Sequence, residues 1–276
     1  MISGGMDSQY QKLPFQLSTR EHAYGDHVNL VSDPFCISLL AKLCNERCEQ
    51  PLFNQHIRYL YHTLGMYAAN AIFSKTNVKI PTRMAKLHPK EAVFEGEVFD
   101  PNQKVILVAM ARAGTIPSNS LMEMYTTVMD PENVRVDHIY INRVTDQSDH
   151  VTGAHLSGSK IGGDISDAIM IIPDPMGATG SSINQVLDYY KQNVTGKPKA
   201  WVSLQLMITP EFIRNVSAKH KDLKIFSFRL DRAFSSEKAL QNIPGKFWDE
   251  EKGLNPKDYI VPGGGGFGEL MSHAWV

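Results

Sequence analysis

Apolar runs that alternate with helical stretches narrow the folds open to this chain. Residues 104–110 (KVILVAM) are apolar without a break after the first. Further strand-like runs follow at 136–144, 168–173 and 200–208, and a shorter one at 224–230. Successive side chains of a strand point to opposite faces, so an unbroken apolar run needs cover on both. Helical stretches near 116–128, 181–194 and 210–220 supply it. Strands and helices in alternation predict a doubly wound α/β domain, with a parallel sheet flanked by helices.

The N-terminal third reads differently. Residues 1–28 form a polar lead-in, and residues 29–276 are expected to make one domain. Asp33-Pro34 reads as an N-cap followed by proline at the first helical position. A helix is predicted over 35–48, with Phe35, Leu39, Leu40 and Leu43 on one side, and a second over 53–73. Residues 92–99 alternate as a half-exposed strand does. Two segments, 145–167 and 231–258, read as long loops.

Bulk properties exclude several classes. A formal charge of -1 gives no basic field for a nucleic-acid polymer. No apolar run approaches the length of a membrane span, and residues 1–10 lack the apolar region of a secretory signal. The expected location is the cytoplasm. Three cysteines, Cys36, Cys44 and Cys48, are too few and too odd for a disulfide framework, so they read as small apolar residues in a reducing compartment.

The chemistry gathers after the 168–172 run. Asp174-Pro175-Met176-Gly177-Ala178-Thr179-Gly180-Ser181-Ser182 joins a buried strand to a helix. Small residues let backbone N–H groups wrap an anion, and the helix N-terminus and the hydroxyls of Thr179, Ser181 and Ser182 add donors. A carboxylate repels phosphate, so the expected partners of Asp174 are sugar hydroxyls or a bound cation. Gly180 stands where a Walker loop has lysine, and no Gly-x-Gly-x-x-Gly follows an early strand. Arg112 and Arg143 sit at the ends of two strand runs, where a guanidinium can fork onto diphosphate oxygens.

This loop resembles the 5-phosphoribosyl diphosphate (PRPP) motif of type I phosphoribosyltransferases. It is most similar to the uracil phosphoribosyltransferase version, Asp-Pro-Met-Leu-Ala-Thr-Gly. Met110-Ala111-Arg112-Ala113-Gly114, His138 to Arg143, and Leu254-Asn255 through Gly268 resemble further segments of that family in the same order. The resemblance implies a type I phosphoribosyltransferase-like core with N-terminal helices and a C-terminal hood that carries a base-binding loop. It implies transfer of the 5-phosphoribosyl group from PRPP to uracil, yielding UMP and diphosphate, in a homo-oligomer, dimer or tetramer. It assigns PRPP to Arg112, Arg143 and the 174–182 loop, with Asp174, Arg112 and Arg143 as the catalytic set. Carried over by position, Tyr259, Ile260, Gly265, Gly266 and Phe267 contact the base. No protein metal ligand is implied; Mg2+ is expected through diphosphate and water.

The chain departs from the family at one place. The family pattern Gly-Asp-(Ala or Phe)-Gly-Asp-Arg is here Gly265-Gly266-Phe267-Gly268-Glu269-Leu270. Gly266 replaces an aspartate, and Glu269 is the nearest carboxylate that could compensate. Two alternatives to uracil transfer follow: a catalytically weak or inactive regulator that binds PRPP or a nucleotide, or an enzyme for another small base.

Overall fold

A computed structural model describes residues 15–145 and 151–275, without the side chains of 142–145 and 151–155. The order is β1 (Val28–Leu30), α1 (Pro34–Leu43), α2 (Leu52–Ile72), β2 (Lys75–Pro81), β3 (Val93–Phe99), β4 (Val105–Ala111), α3 (Thr115–Tyr125) and β5 (Val134–Thr145). There follow β6 (Val151–Lys160), β7 (Ile169–Pro173), β8 (Met176–Gly177), α4 (Ser181–Asn193), β9 (Ala200–Ile208), α5 (Pro210–Lys219), β10 (Leu223–Leu230), α6 (Glu237–Leu240) and α7 (Phe267–Ser272).

The main sheet runs β1-β10-β9-β7-β4-β5-β6, with the short β8 also on β9. Every pair is parallel except β5 with β6. The α/β architecture predicted from the apolar runs is therefore the one observed. Alternate residues of one strand enter different cores. Leu107, Ile169, Ile171 and Leu204 pack with α1, α2 and α3 on one face. Ile106, Val108, Met170 and Ile172 pack with α4 and α5 on the other. Two faces covered by helices are what an unbroken apolar strand requires.

Caps set the helix starts. The Asp33 carboxylate accepts from Cys36 N at 2.9 Å, and the Thr209 hydroxyl accepts from Phe212 N at 3.0 Å, each followed by proline. Helix α1 stops at Leu43, short of the predicted 48. All three cysteine thiols are pushed up by burial, Cys36 to about 12, which keeps them protonated.

Three segments differ from the sequence expectation. Residues 75–81, given no structure in the sequence reading, pair with β3 as an antiparallel ribbon outside the main sheet. The 145–167 loop contains β6, a Gly/Ser-containing edge strand held by its ladder to β5. Its composition carries little strand propensity, and pairing overrides that. Residues 146–150 of that segment lie outside the described residues. The 231–258 loop holds α6 and is anchored from inside. Glu251 is 3% exposed and accepts from Arg232 Nη1 at 2.9 Å, from Gly245 N at 2.9 Å, and from the Tyr24 hydroxyl. Burial, with help from Glu251, pushes the Tyr24 phenol far up, so that hydroxyl stays a donor. Tyr24 belongs to the stretch read as a lead-in, so at least this part of it is tied to the core.

Replacing Glu251 by Ala leaves the largely buried Arg232 guanidinium with two backbone carbonyls and no counter-charge. The expected cost is about 3–5 kcal/mol of unfolding free energy. A denaturant midpoint unchanged from wild type would show that the network is dispensable.

Candidate active site

The parallel strands reverse their spatial order at β4. From it the chain steps to β5 on one side, while β7, β9 and β10 lie on the other. In open α/β sheets the crevice at such a reversal, beyond the strand C-terminal ends, is where ligands bind. Arg112 follows β4 and Asp174 follows β7, so both stand at that crevice. The two loops are in close contact: a Cβ on Gly114 would come within 2.9 Å of the Pro173 carbonyl oxygen and 2.8 Å of Met110 N. Only glycine lets these backbones approach so closely. The Ala111–Arg112 peptide bond is cis.

Asp174, Met176, Ala178, Thr179, Gly180, Ser181 and Ser182 line one cleft, joined by Ile183, Phe212 and Asp258. The loop is fastened from behind by its neighbours. Thr209 Oγ1 donates to the Ala178 carbonyl at 2.7 Å and Asn215 Nδ2 to the Thr179 carbonyl at 2.9 Å. Thr209 N donates to the Gly177 carbonyl at 3.1 Å. Gly177 is buried, and a Cβ on it would lie 2.8 Å from Ile208 Cγ2. Gly180 turns the chain into α4 at φ 80, and its own Cβ would lie 2.7 Å from Val216 Cγ1. Helix α4 opens without a side-chain cap, which leaves first-turn N–H groups for an anion. Thr179 Oγ1 and Ser181 Oγ lie 2.6 Å apart at the same entrance. Beneath the cleft the Tyr61 phenol is pushed far up by burial, with the Asp174 carboxylate adding to it.

The C-terminal segment closes the other side. Here the structure adds residues that sequence reasoning did not single out. Arg229 and Asp231, at the end of β10, form a two-pronged ion pair at 2.6 and 2.7 Å. Asp231 is 1% exposed. Desolvation works against the Arg229 charge, but the bonds and field of Asp231 outweigh it, and the guanidinium is held above its ordinary range. The pair grips Gly263 from both sides: Gly263 N donates to Asp231 Oδ2 at 2.8 Å, and Arg229 Nη2 donates to the Gly263 carbonyl at 2.8 Å. Glu211 accepts from Gly253 N at 3.0 Å and from Leu254 N at 3.3 Å, fixing the approach to the loop. A charged pair just past a strand run was the one available signal for Asp231; Glu211 and Asn215 carried none.

Residues expected at the base have different placements. Tyr259, Gly265 and Gly266 are exposed, and Ile260 is buried. Phe267 is 1% exposed, with its ring 5.1 Å from Phe53 in an edge-on contact. That ring is an anchor of the apolar core, so only the backbone of Phe267 is left to meet a ligand. Glu269 Oε1 accepts from Arg112 Nη2 at 2.9 Å. Position 143 lies on β5, and the Arg143 side chain is outside the described residues.

A model of the uracil phosphoribosyltransferase family matches residues 30–247. The chain belongs to the uracil phosphoribosyltransferase family. Relatives in the family include a uracil phosphoribosyltransferase of Rhizobium etli, 26% identical over 89% of this chain and 98% of that one. Another, from Thermococcus sibiricus, is 23% identical over 86% of this chain and 85% of that one. A solved protein structure from Aquifex aeolicus superposes with a TM-score of 0.67 at 18% identity, covering 90% of this chain and 99% of that one, which bears on the fold. The family match ends at 247, before the altered 265–270 stretch. No described helix is long and apolar enough to cross a membrane.

Asp231→Ala removes the grip on Gly263 N and leaves the Gly263 carbonyl to an Arg229 that has lost its carboxylate partner. Amide exchange at Gly263 and Val261 is expected to speed up by more than tenfold, with global stability lower by about 3–5 kcal/mol. Unchanged exchange at Gly263 would mean that the loop is held by something other than this pair.

Proposed function

We propose that the chain transfers the 5-phosphoribosyl group of PRPP to uracil, forming UMP and diphosphate. The observation that carries the proposal is the glycine-lined 174–182 loop at the C-terminal end of β7, beside the Arg112 loop of the neighbouring β4 at the sheet reversal, within a chain of this family. The bond from the ribosyl C1 to the diphosphate oxygen breaks, and a nitrogen of the base takes its place at C1. Positive charge develops on the ribosyl ring and negative charge on the leaving group. Catalysis then depends on holding the parts in line and on stabilising those charges.

In this proposal the 178–182 backbone and hydroxyls hold the 5-phosphate, with Gly177 and Pro175 shaping the turn. Asp174 takes ribose hydroxyls, and Arg112 with Arg143 takes the diphosphate. Backbone groups of 259–267 read the edge of the base. Among the described residues no three His, Cys, Asp or Glu side chains draw together as a metal cage. Asp174, on the cleft, suits a Mg2+ held mainly by phosphate oxygens and water. Mg2+ bound there would neutralise diphosphate charge. A homo-oligomeric state and a cytoplasmic location are part of the same proposal. Exposed apolar side chains on the ribbon, Ile80, Val93 and Phe94, are consistent with assembly.

A second reading has its own observation. Gly266 supplies no carboxylate, and Glu269 is engaged with Arg112. That favours an altered base or weak turnover. Incubation with PRPP, Mg2+ and uracil, then with other pyrimidines and purines, separates the readings. UMP at ordinary enzymatic rates supports uracil transfer; tight PRPP binding with no product from any base would overturn it.

Two variants check the site itself. Arg112→Ala is expected to lower kcat/KM for PRPP by roughly 100-fold, the usual scale for losing one charge-stabilising donor. Gly180→Ala meets both a positive φ and Val216. Strain of about 1–3 kcal/mol should appear in the denaturant midpoint, with PRPP binding weakened beside it.

A further inference from the structure

We propose that Glu269 is a built-in competitor for Arg112, and that the missing side chain at Gly266 is what gives its carboxylate room. The inference rests on Arg112 being a diphosphate ligand. Arg112 spends its donors on the chain's own C-terminal segment. Nη2 donates to Glu269 Oε1 at 2.9 Å, and Nη1 donates to the Ala274 carbonyl. Helix α7 is close enough for this because Gly268 packs on the Arg112 loop: a Cβ there would stand 3.7 Å from Ala113 N.

Gly266 has no backbone need to be glycine. Its φ is -83, a value open to any residue. Space is the issue instead. A Cβ at 266 would stand 2.6 Å from Glu269 Oε2, whereas one at Gly265 would meet nothing within 4 Å. Any side chain at 266 must therefore push the Glu269 carboxylate aside. Where a side chain at 266 would stand, a carboxylate from the first turn of α7 fills the place.

A carboxylate and a diphosphate ask for the same guanidinium donors. Both cannot hold Arg112 in full. The Arg112 and Glu269 side chains are 35% and 34% exposed, and ion pairs this open hold weakly. A more highly charged ligand displaces such a pair, at the cost of a few-fold in apparent affinity. Glu269 thus lowers the affinity of the site for diphosphate-bearing molecules without blocking it. It also gives the C-terminal helix a contact that ligand entry breaks.

The probe is inorganic diphosphate with Mg2+, titrated calorimetrically into the full chain. Glu269→Gln is expected to tighten binding by about 3- to 10-fold, the range set by a weak exposed pair. Gly266→Ala should do the same by steric eviction, since its methyl meets Glu269 Oε2. The double variant should bind no tighter than either single one, because both release the same contact. Arg112→Ala should weaken binding at least tenfold. If Arg112→Ala weakens binding but Glu269→Gln and Gly266→Ala do not tighten it, the competitor is refuted and the diphosphate site stands. If Arg112→Ala binds as wild type does, the reading of Arg112 fails and the proposal fails with it.

Discussion

Burial of both faces of β4, β7 and β9 is the constraint on which the rest of this molecule depends. Consecutive side chains of these strands enter two separate cores, one under α1 to α3 and one under α4 and α5. With both faces closed, polar chemistry has room at the strand ends. The C-terminal ends of β4 and β7 then meet at the reversal of strand order. Gly114 against Pro173 sets how near the two loops come. A bulkier residue there would separate Arg112 from the 174–182 loop, and the crevice would lose its two-sided character.

The C-terminal segment is built on a different principle. It has little regular structure, so a few strong contacts hold it. A buried pair, Arg229 with Asp231, fixes Gly263. Phe267 inserts beside Phe53. Buried, hydrogen-bonded charges are costly to break and position a loop well. The Arg112–Glu269 contact lies at the opposite extreme, half-open and cheap to break. Firm anchors inside and a weak contact at the crevice suit a segment that must stay in place while its outer edge gives way.

Much of the candidate site is visible in sequence because its signals are local. The run Asp174 to Ser182 shows its small and hydroxyl residues directly, and a loop that wraps an anion needs them in one stretch. Arg112 was legible from its place after an apolar run. The place of the Phe267 ring is a separate matter from its expected contact with the base. An aromatic in a glycine-rich segment is a docking signal: its apolar area is worth more inside the core, and the ring is buried there, which leaves its backbone for the base. Asp231, Glu211 and Asn215 gave almost nothing in sequence, because their partners lie between about 30 and 45 residues away along the chain. Strand β6 was missed because its Gly and Ser residues carry weak propensity and its ladder to β5 supplies the order.

The amino-acid sequence alone determined the class of fold, the parallel strands and the helices between them through 104–230 apart from β6 and the short β8, and the candidate phosphate loop. Those features rest on side-chain periodicity and on contiguous residues, which a linear reading can see. Tertiary structure alone decided which loops share the crevice, how the 259–268 segment is held, and where the carboxylate of Glu269 goes. These depend on which strands neighbour each other and on the space that one missing side chain leaves. The altered 265–270 stretch shows the difference best. In sequence it is a glycine with a glutamate three residues on; in three dimensions the glutamate carboxylate stands against Gly266 with its charge on Arg112.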